Sequence, residues 1–150
     1  MTMTLEDVIR TLDMIPHPEG GWYAETHRIP DPHDHGHRSP GTAIYYALGA
    51  GDRSHWHRID ATEIWHYYAG APLELSLAVS DQSRVKARTL GADLAAGHRP
   101  QLIVPPHHWQ AARSLGDWTL VGCTVSPGFD FSTFEMAAPD WTPGPHNISR

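Results

Sequence analysis

Two histidines and a glutamate near the middle of the chain have the types and spacing of a small acid–base or metal site. His55 and His57 are two residues apart, so on a strand their side chains point to the same face. Glu63 follows after a short turn, where a returning strand brings its carboxylate beside the imidazoles. Two imidazoles and one carboxylate that face one cavity can hold a divalent ion with open coordination positions, or can move protons.

Flanking glycines make this pattern more specific than the histidine pair alone. The chain has 12 histidines in 150 residues, so a His-x-His pair is expected about once by chance. The longer pattern adds a glycine on each side, in the form Gly49-x5-His55-x-His57-x5-Glu63-x6-Gly70. A second histidine cluster, at 33, 35 and 37, lies in a proline-flanked polar segment, which we interpret as a solvated loop.

Short strands separated by turns must position these residues. Gly 13 and Pro 13 are abundant and charged residues make up only 19 %, which favours a mostly β protein. One helix is predicted after Thr4, and strands are predicted at 19–28, 42–48, 54–59, 63–69, 73–79, 84–90, 102–105, 108–113, 118–125 and 131–136. We therefore expect an all-β sandwich or barrel in a single domain, 1–150, with an N-terminal helical segment at 1–16 and an irregular tail at 138–150.

Composition excludes several classes of function. The formal net charge is −6 and no basic cluster is present, which argues against nucleic-acid binding. No apolar run approaches the ~20 residues of a membrane span, and the first ten residues lack an apolar signal-peptide core. The single cysteine, Cys123, sits in an apolar run and is interpreted as a core residue. We expect a cytoplasmic protein.

The central pattern resembles the first motif of the cupin superfamily, with one slightly longer spacer. The second cupin motif is half present after Pro105, with His107 where glycine is usual and Gln110 where the last histidine ligand of the family stands. The resemblance is closer to the cupin-5 subgroup, formerly a domain of unknown function, in four blocks: 17–25, 63–73, 104–110 and 125–131. It implies a double-stranded β-helix, a jelly-roll-like barrel that is usually a homodimer, but it implies no particular reaction.

We predict that the site lies inside this barrel. His57 and Glu63 are the predicted catalytic residues, and His55 and Gln110 join them as predicted ligands of one divalent ion (Zn, Fe, Mn or Ni). Glutamine is a weaker ligand than imidazole, which slightly favours the alternative without any cofactor. In that alternative the pair of His57 and Glu63 acts directly as a general base.

Further residues are predicted to bind the ligand. Trp65 and Tyr67 share the strand alternation of Glu63 and are predicted walls of the pocket, with core packing as the alternative. Glu25 and His27 lie on an early strand that is expected at the barrel mouth, where they are predicted to bind ligand or move protons. The alternative for both is a solvated strand face.

His108 is a further residue that is predicted to take part in the site. His108 shares the alternation of Gln110, which suits it to replace the missing imidazole, and a surface histidine is the alternative.

The predicted function is binding of a small polar, carbohydrate-like molecule, with isomerase- or epimerase-type proton transfer or metal-assisted chemistry. A non-catalytic, storage-like binding protein is the alternative, and the sequence leaves open whether the protein is an enzyme.

Overall fold

A single short helix precedes the strands. The computed structural model describes residues 2–32 and 38–148, so the histidines at 33, 35 and 37 lie outside the described residues. Helix α1 covers Leu5–Thr11. Thr4 and Asp7 form a capping box at its start, in which each side chain accepts a hydrogen bond from the other's backbone N–H. Val8 is buried between the helix and the outer face of a sheet.

Two antiparallel sheets form the body of the molecule, as the strand pattern predicted. The strands are β1 (Ile15–Pro16), β2 (Trp22–Arg28), β3 (Thr42–Gly49), β4 (Arg53–Arg58), β5 (Thr62–Gly70), β6 (Leu73–Ala78), β7 (Lys86–Leu90), β8 (Gln101–Val104), β9 (Trp109–Ser114), β10 (Trp118–Ser126) and β11 (Glu135–Met136). One sheet has the order β1-β2-β3-β10-β5-β8 and the other β11-β4-β9-β6-β7. This non-sequential order is a jelly-roll sandwich, so the predicted all-β class is confirmed.

The main core fills the space between the two sheets. Alternate residues of facing strands supply it, and Tyr46, Trp65, Leu75 and Val121 are each at most 1 % exposed. Trp56 and Trp109 point out of the opposite face of the smaller sheet and pack together there. No helix in residues 2–32 or 38–148 is long and apolar enough to cross a membrane.

Two β-bulges change which side chains face the interior. On β4 the step from Ser54 to His57 is opposed by the shorter step from Ala112 to Gln110 on β9, so β4 contains an extra residue. A similar shift after Glu25 on β2 adds a residue opposite β3. Because each extra residue reverses the alternation, side chains three positions apart face inward together.

The region 131–136, predicted as one strand, is divided into two elements. A 3₁₀ helix covers Phe131–Thr133, because the carboxylate of Asp130 accepts a hydrogen bond from the Ser132 backbone N–H at 2.9 Å. Strand β11 follows and pairs with β4. The segment after it is irregular except for a 3₁₀ helix at Pro145–Asn147, yet Trp141 packs against Trp109 with ring centroids 4.6 Å apart.

Candidate functional site

A tight loop between β1 and β2 carries Glu19 into the interior. Gly20 has φ +106°, and a Cβ at that position would lie 1.9 Å from the backbone oxygen of Arg53, so only glycine allows this approach. The Glu19 backbone oxygen accepts a hydrogen bond of 2.8 Å from the N–H of His55. The loop is thereby fastened to β4, and the Glu19 carboxylate is only 7 % exposed.

His57 and Glu19 form a buried ion pair. The Nε2 atom of His57 lies 2.7 Å from Oε2 of Glu19, and its Nδ1 atom donates to the backbone oxygen of His55 at 2.7 Å. The hydroxyl of Ser54 also donates to Oε2 of Glu19, at 3.0 Å. Both ring nitrogens of His57 therefore face acceptors, which favours the doubly protonated, positively charged imidazole.

Electrostatics support this charge state. Burial opposes the charged form of His57, but the negative charge and hydrogen bond of Glu19 outweigh it and raise the pKa of His57 to about 9. Burial likewise acts to raise the pKa of Glu19, but the charge and hydrogen bond of His57, together with smaller contributions from His17 and Ser54, outweigh it, so that this pKa is lowered. Burial lowers the pKa of the neighbouring His17. At neutral pH the pair is an imidazolium and a carboxylate, beside a neutral imidazole.

A second carboxyl group, that of Glu63, is held by a chain of two hydrogen bonds between side chains. The indole N–H of Trp65 donates to Oε1 of Gln110 at 2.9 Å. The amide nitrogen of Gln110 in turn donates to Oε1 of Glu63 at 2.7 Å. Burial raises the pKa of Glu63 to about 7, an effect that His57 opposes and Glu19 reinforces. Glu63 therefore gains and loses a proton near neutral pH.

One cavity with an aromatic wall contains the titratable groups described above, namely His17, Glu19, His57 and Glu63. Its empty space is ≈ 580 Å³ with the mouth included, and its lining is His17, Glu19, Tyr23, Glu25, Arg28, Thr42, Ile44, His57, Ile59, Glu63, Cys123, Val125, Phe129, Phe131 and Phe134. The ring of Phe134 lies 5.4 Å from that of His57. Buried acid–base groups and aromatic rings thus share one small chamber, which is the usual composition of a small-molecule site.

The bulge in β2 places Arg28 at the mouth of this cavity and His27 outside it. Arg28 forms an ion pair with Glu25, with its Nε atom 2.7 Å from Oε1. Both side chains line the cavity, whereas His27 is exposed and does not line it. The predicted rim thus contains Glu25 with an arginine as its partner, because the extra residue in β2 turns His27 to the other face.

The structure separates His55 from the cavity. His55 and His57 do not face the same side of β4, because the bulge in this strand turns Ser54 and His57 inward together. The Nε2 atom of His55 instead lies 2.9 Å from the backbone oxygen of Ala138. The expectation that the two histidines face one cavity is therefore wrong.

Trp65 and Tyr67 do point inward but lie beyond the cavity. Each pair of residues along β5 adds ~6.6 Å, so these rings stand progressively farther from Glu63. Trp65 contacts the site only through Gln110, and the hydroxyl of Tyr67 donates to the Gly70 backbone oxygen at 2.6 Å. They pack in or against the core and are not walls of the cavity.

His107 and His108 occupy the turn before β9. His107 has φ +67°, the left-handed conformation that explains why glycine is usual at this point of the motif. The Nδ1 atom of His108 lies 3.2 Å from the Pro106 backbone oxygen, and its ring borders a surface groove outside the barrel. His108 does not replace the imidazole that Gln110 lacks, because it precedes the strand and turns away from the interior.

The predicted metal ligands His55, His57, Glu63 and Gln110 are not assembled as a ligand set. His55 faces outward, both nitrogens of His57 are engaged by oxygens, and the amide of Gln110 is engaged by Trp65 and Glu63. Among the described residues no group of three or more His, Cys, Asp or Glu side chains is arranged to hold a metal ion. This donor set does not fit a divalent ion.

Sequence reasoning assigned no role in the site to several residues of the cavity. These include His17, Glu19, Arg28 and the three phenylalanines at 129, 131 and 134. The available signal for Glu19 was its position directly before Gly20 and Gly21, since a tight Gly-Gly turn fixes the direction of the preceding side chain. For Arg28 no signal existed, because strand alternation places it opposite Glu25.

The two-sheet jelly roll, with its site enclosed at one end between the sheets, defines a cupin-type protein. The chain belongs to the family described as Cupin superfamily (DUF985), Cupin_5, whose model matches residues 6–137. The resemblance noted in the sequence is thereby confirmed.

Solved structures agree with this assignment. A protein from Shewanella oneidensis is 37 % identical with a TM-score of 0.85, over 91 % of this chain and 86 % of that one. A hypothetical protein from Leishmania major is 31 % identical with a TM-score of 0.81, over 91 % and 88 %. A dTDP sugar isomerase from Desulfovibrio desulfuricans is 15 % identical with a TM-score of 0.58, over 81 % and 83 %, and shares the fold alone. No curated protein matches the chain at a significant level.

Proposed function

We propose that the protein binds a small polar, carbohydrate-like molecule in the cavity and transfers a proton on it, in an isomerase- or epimerase-type reaction. One observation carries the proposal. A charged imidazole, with a pKa of about 9, and a carboxyl group, with a pKa of about 7, line the same buried chamber. Buried titratable groups with strongly shifted pKa values that share one cavity are typical of acid–base catalytic sites.

The two groups suit different tasks in such a reaction. Glu63 in its ionised form accepts a proton from the carbon beside a carbonyl group, and the electrons of the broken C–H bond move onto the carbonyl oxygen. The positive charge of His57 stabilises the negative charge that forms there. Return of that proton from Glu63 to the neighbouring carbon, while the hydroxyl proton of that carbon moves to the former carbonyl oxygen, gives an isomer. An epimer forms when Glu63 releases its proton to solvent and water protonates the original carbon from the opposite face.

Other residues position these groups and exclude water. Glu19 holds His57 in its charged form through the 2.7 Å contact with Nε2 and is a positioning residue. Aromatic rings on the wall, among them Tyr23 and Phe134, offer flat apolar faces to the C–H groups of a sugar. The proposed reaction uses protein side chains alone, because the predicted metal ligands are engaged in other contacts.

Solvent exchange tests the proposal directly. The protein is incubated in D₂O with a panel of aldoses, ketoses, their phosphates and keto-sugar nucleotides, and each compound is followed by ¹H NMR. We expect one class to lose the C–H signal beside its carbonyl and to form a second isomer. Glu63→Gln lowers the exchange rate at least 100-fold, whereas the surface variant Glu74→Gln retains it.

Binding without exchange distinguishes the alternative function. If tryptophan fluorescence detects saturable binding of a panel member but no wild-type exchange occurs, proton transfer is refuted for that compound. The non-catalytic, storage-like alternative then holds. Equal exchange by the wild type and Glu63→Gln refutes the role assigned to Glu63.

We further propose that the protein is a homodimer, as the resemblance suggested, and that it is cytoplasmic, as the composition suggested. Apolar side chains on the outer face of the larger sheet support the dimer, since Tyr68 is 51 % and Ile103 59 % exposed. Light scattering after gel filtration is expected to give twice the mass of 16.7 kDa. Tyr68→Glu is expected to give the monomer mass, and a wild-type monomer at micromolar concentration contradicts the proposal.

A further inference from the structure

His17 is a nearly buried histidine of the cavity to which the proposed reaction assigns no role. It follows β1 directly and precedes Glu19 by two residues, and its side chain is only 5 % exposed. Aromatic rings surround its imidazole with centroids 4.7–6.5 Å away, namely those of Tyr23, Tyr46, Phe129, Phe131 and Phe134. This packing fixes the orientation of the imidazole and keeps water from most of it.

A hydrogen bond to Nδ1 decides which ring nitrogen of His17 carries the proton. The backbone N–H of Glu19 donates to Nδ1 at 3.1 Å. The carboxylate oxygen Oε1 of Glu19 lies 3.6 Å from the same nitrogen, beyond hydrogen-bond distance. Because Nδ1 accepts a hydrogen bond, the proton of the imidazole is on Nε2. Burial lowers the pKa of His17, which agrees with a neutral ring.

The Nε2–H group of His17 is unpaired and accessible. Within residues 2–32 and 38–148, Nε2 has no hydrogen-bond partner. It is also not among the enclosed side-chain atoms that lack a partner, which in these ranges belong to Arg38, Asp60 and His98. An unpaired atom that the protein does not enclose can be reached, and the space that His17 lines is the cavity. A ligand in the cavity can therefore accept a hydrogen bond from Nε2–H.

The cationic groups of the cavity are engaged by the protein itself. Nε2 of His57 lies 2.7 Å from Glu19, and its Nδ1 donates to the His55 backbone oxygen at 2.7 Å. Arg28 is paired with Glu25. The charge of His57 therefore acts on a ligand through space, whereas the Nε2–H group of His17 can donate to it directly.

The charges of the cavity favour an uncharged acceptor beside His17. Three carboxyl groups and two cationic groups line it, those of Glu19, Glu25, Glu63, Arg28 and His57. Since each cationic group is paired with a carboxylate, Glu63 is left over, and its ionised form repels an anion. A carbonyl oxygen accepts a hydrogen bond from a neutral imidazole without bringing a charge into these aromatic surroundings.

We propose that the Nε2–H group of His17 binds the carbonyl oxygen of the substrate, so that the molecule in the cavity presents an uncharged aldehyde or keto group to this residue. The inference rests on the proposed function, because it specifies which substrate group the same site recognises. A neutral imidazole that donates to a carbonyl oxygen polarises the carbonyl group and acidifies the neighbouring C–H group. His17 keeps its proton, and Glu63 accepts the proton from carbon.

NMR of ¹⁵N-histidine-labelled wild-type protein tests the donor directly. Long-range ¹H–¹⁵N correlations at pH 7 distinguish the two neutral tautomers and the charged ring, and the signals lost in His17→Phe identify His17. We expect a neutral ring with its proton on Nε2. Addition of hydroxyacetone, an uncharged α-hydroxy ketone, is expected to shift the Nε2 signal saturably. A proton on Nδ1, a charged ring or an unmoved Nε2 signal overturns the inference.

Variants connect ketone binding to His17. Hydroxyacetone labelled with ¹³C at its carbonyl carbon is titrated and followed by isotope-edited infrared spectroscopy, because a hydrogen bond lowers the carbonyl stretching frequency. His17→Phe, which keeps an aromatic ring, is expected to bind it roughly tenfold more weakly and with a higher carbonyl frequency. His17→Gln keeps an N–H donor and is expected to retain part of both effects.

A histidine of the tail supplies the control. His146 is exposed and lies 3.0 Å from the Thr142 backbone oxygen, so His146→Phe is expected to bind hydroxyacetone as the wild type does. Unchanged affinity and carbonyl frequency in a folded His17→Phe variant contradict the role of His17. If His17→Phe does not fold, the signals lost in His17→Gln identify His17, and the wild-type NMR titration decides.

The two proposals fail in different ways. Ketone binding requires no turnover, so a protein that binds hydroxyacetone through His17 but exchanges no substrate protons refutes the proposed chemistry and leaves the carbonyl contact standing. Proton exchange at the wild-type rate in a folded His17→Phe variant refutes only the role of His17.

Discussion

Glu63 and His57 link the stability of the protein to pH, since both have raised pKa values when buried. The pKa of Glu63 rises from 4.5 to about 7. Its protonated form therefore stabilises the folded state below pH 4.5, and this contribution is lost as pH rises through 7. The pKa of His57 rises from 6.5 to about 9, so its contribution is present below pH 6.5 and is lost as pH rises through 9.

Glu63→Gln is expected to abolish the pH dependence of the unfolding free energy that the ionisation of Glu63 causes. Between pH 5 and pH 8 the wild type should lose on the order of 2–3 kcal/mol of unfolding free energy relative to this variant, because only the wild type must ionise a buried carboxyl. Urea denaturation at the two pH values measures the difference. Glu74→Gln, which alters a carboxylate paired with Arg113, is the control. Parallel pH profiles of wild type and Glu63→Gln would contradict the assignment.

Glu19→Gln is expected to reverse the shift of the His57 pKa. Without the carboxylate, burial becomes the dominant influence, so the pKa of His57 falls from about 9 to below its ordinary 6.5. NMR titration of the imidazole signals measures it. Ser54→Ala removes one hydrogen bond to Glu19 but keeps the charge, and it is expected to leave the pKa above 6.5. A His57 that stays protonated at pH 8 in Glu19→Gln disproves the ion-pair explanation.

Some individual residues of the site were predictable from the sequence. His57, Glu63 and Glu25 were predicted from a spaced motif and from an early strand, and all three line the cavity. Glu19 was not predicted, because its position depends on a loop that approaches Arg53 across a long stretch of sequence. Side chains that are brought together by long-range packing leave no local periodic signal.

Among the elements, the loop between β1 and β2 carries the most specific backbone requirement. Gly20→Ala is expected to cost at least 2 kcal/mol of unfolding free energy, because a Cβ would lie 1.9 Å from the Arg53 oxygen in addition to the strain of φ +106°. Gly51→Ala is a matched control, with φ +82° and no atom within 4 Å of the added Cβ, and about 1 kcal/mol is expected. Equal losses in urea denaturation would show that the close approach is unimportant.

Bulges explain which strand-level predictions failed. Strict alternation places His55 with His57 and separates Glu25 from Arg28, and the structure reverses both relations. In each case one extra residue in a strand shifts the register against its neighbour. A bulge without a glycine has little local sequence signature, because the partner strand decides where the extra residue fits.

Across the whole molecule, the strands and sheets were predictable because turn residues and alternating apolar positions recur along the chain. The irregular tail was also expected, but its packing was not. Trp141→Ala is expected to cost about 1–2 kcal/mol, because it uncovers Trp109, which is 4 % exposed in the structure. Thermal or urea unfolding measures this loss, with the exposed Ile148→Ala as control. An unchanged midpoint in Trp141→Ala would mean that the tail does not stabilise the barrel.

Cys123, the only cysteine of the chain, lies 2 % exposed on the cavity lining. Burial raises the pKa of its thiol well above the usual value, so the thiol stays protonated and unreactive in the folded protein. A small alkylating reagent is therefore expected to label Cys123 only when the cavity opens transiently. The rate of Cys123 labelling therefore measures how often the cavity opens, and a compound that fills the cavity is expected to lower that rate.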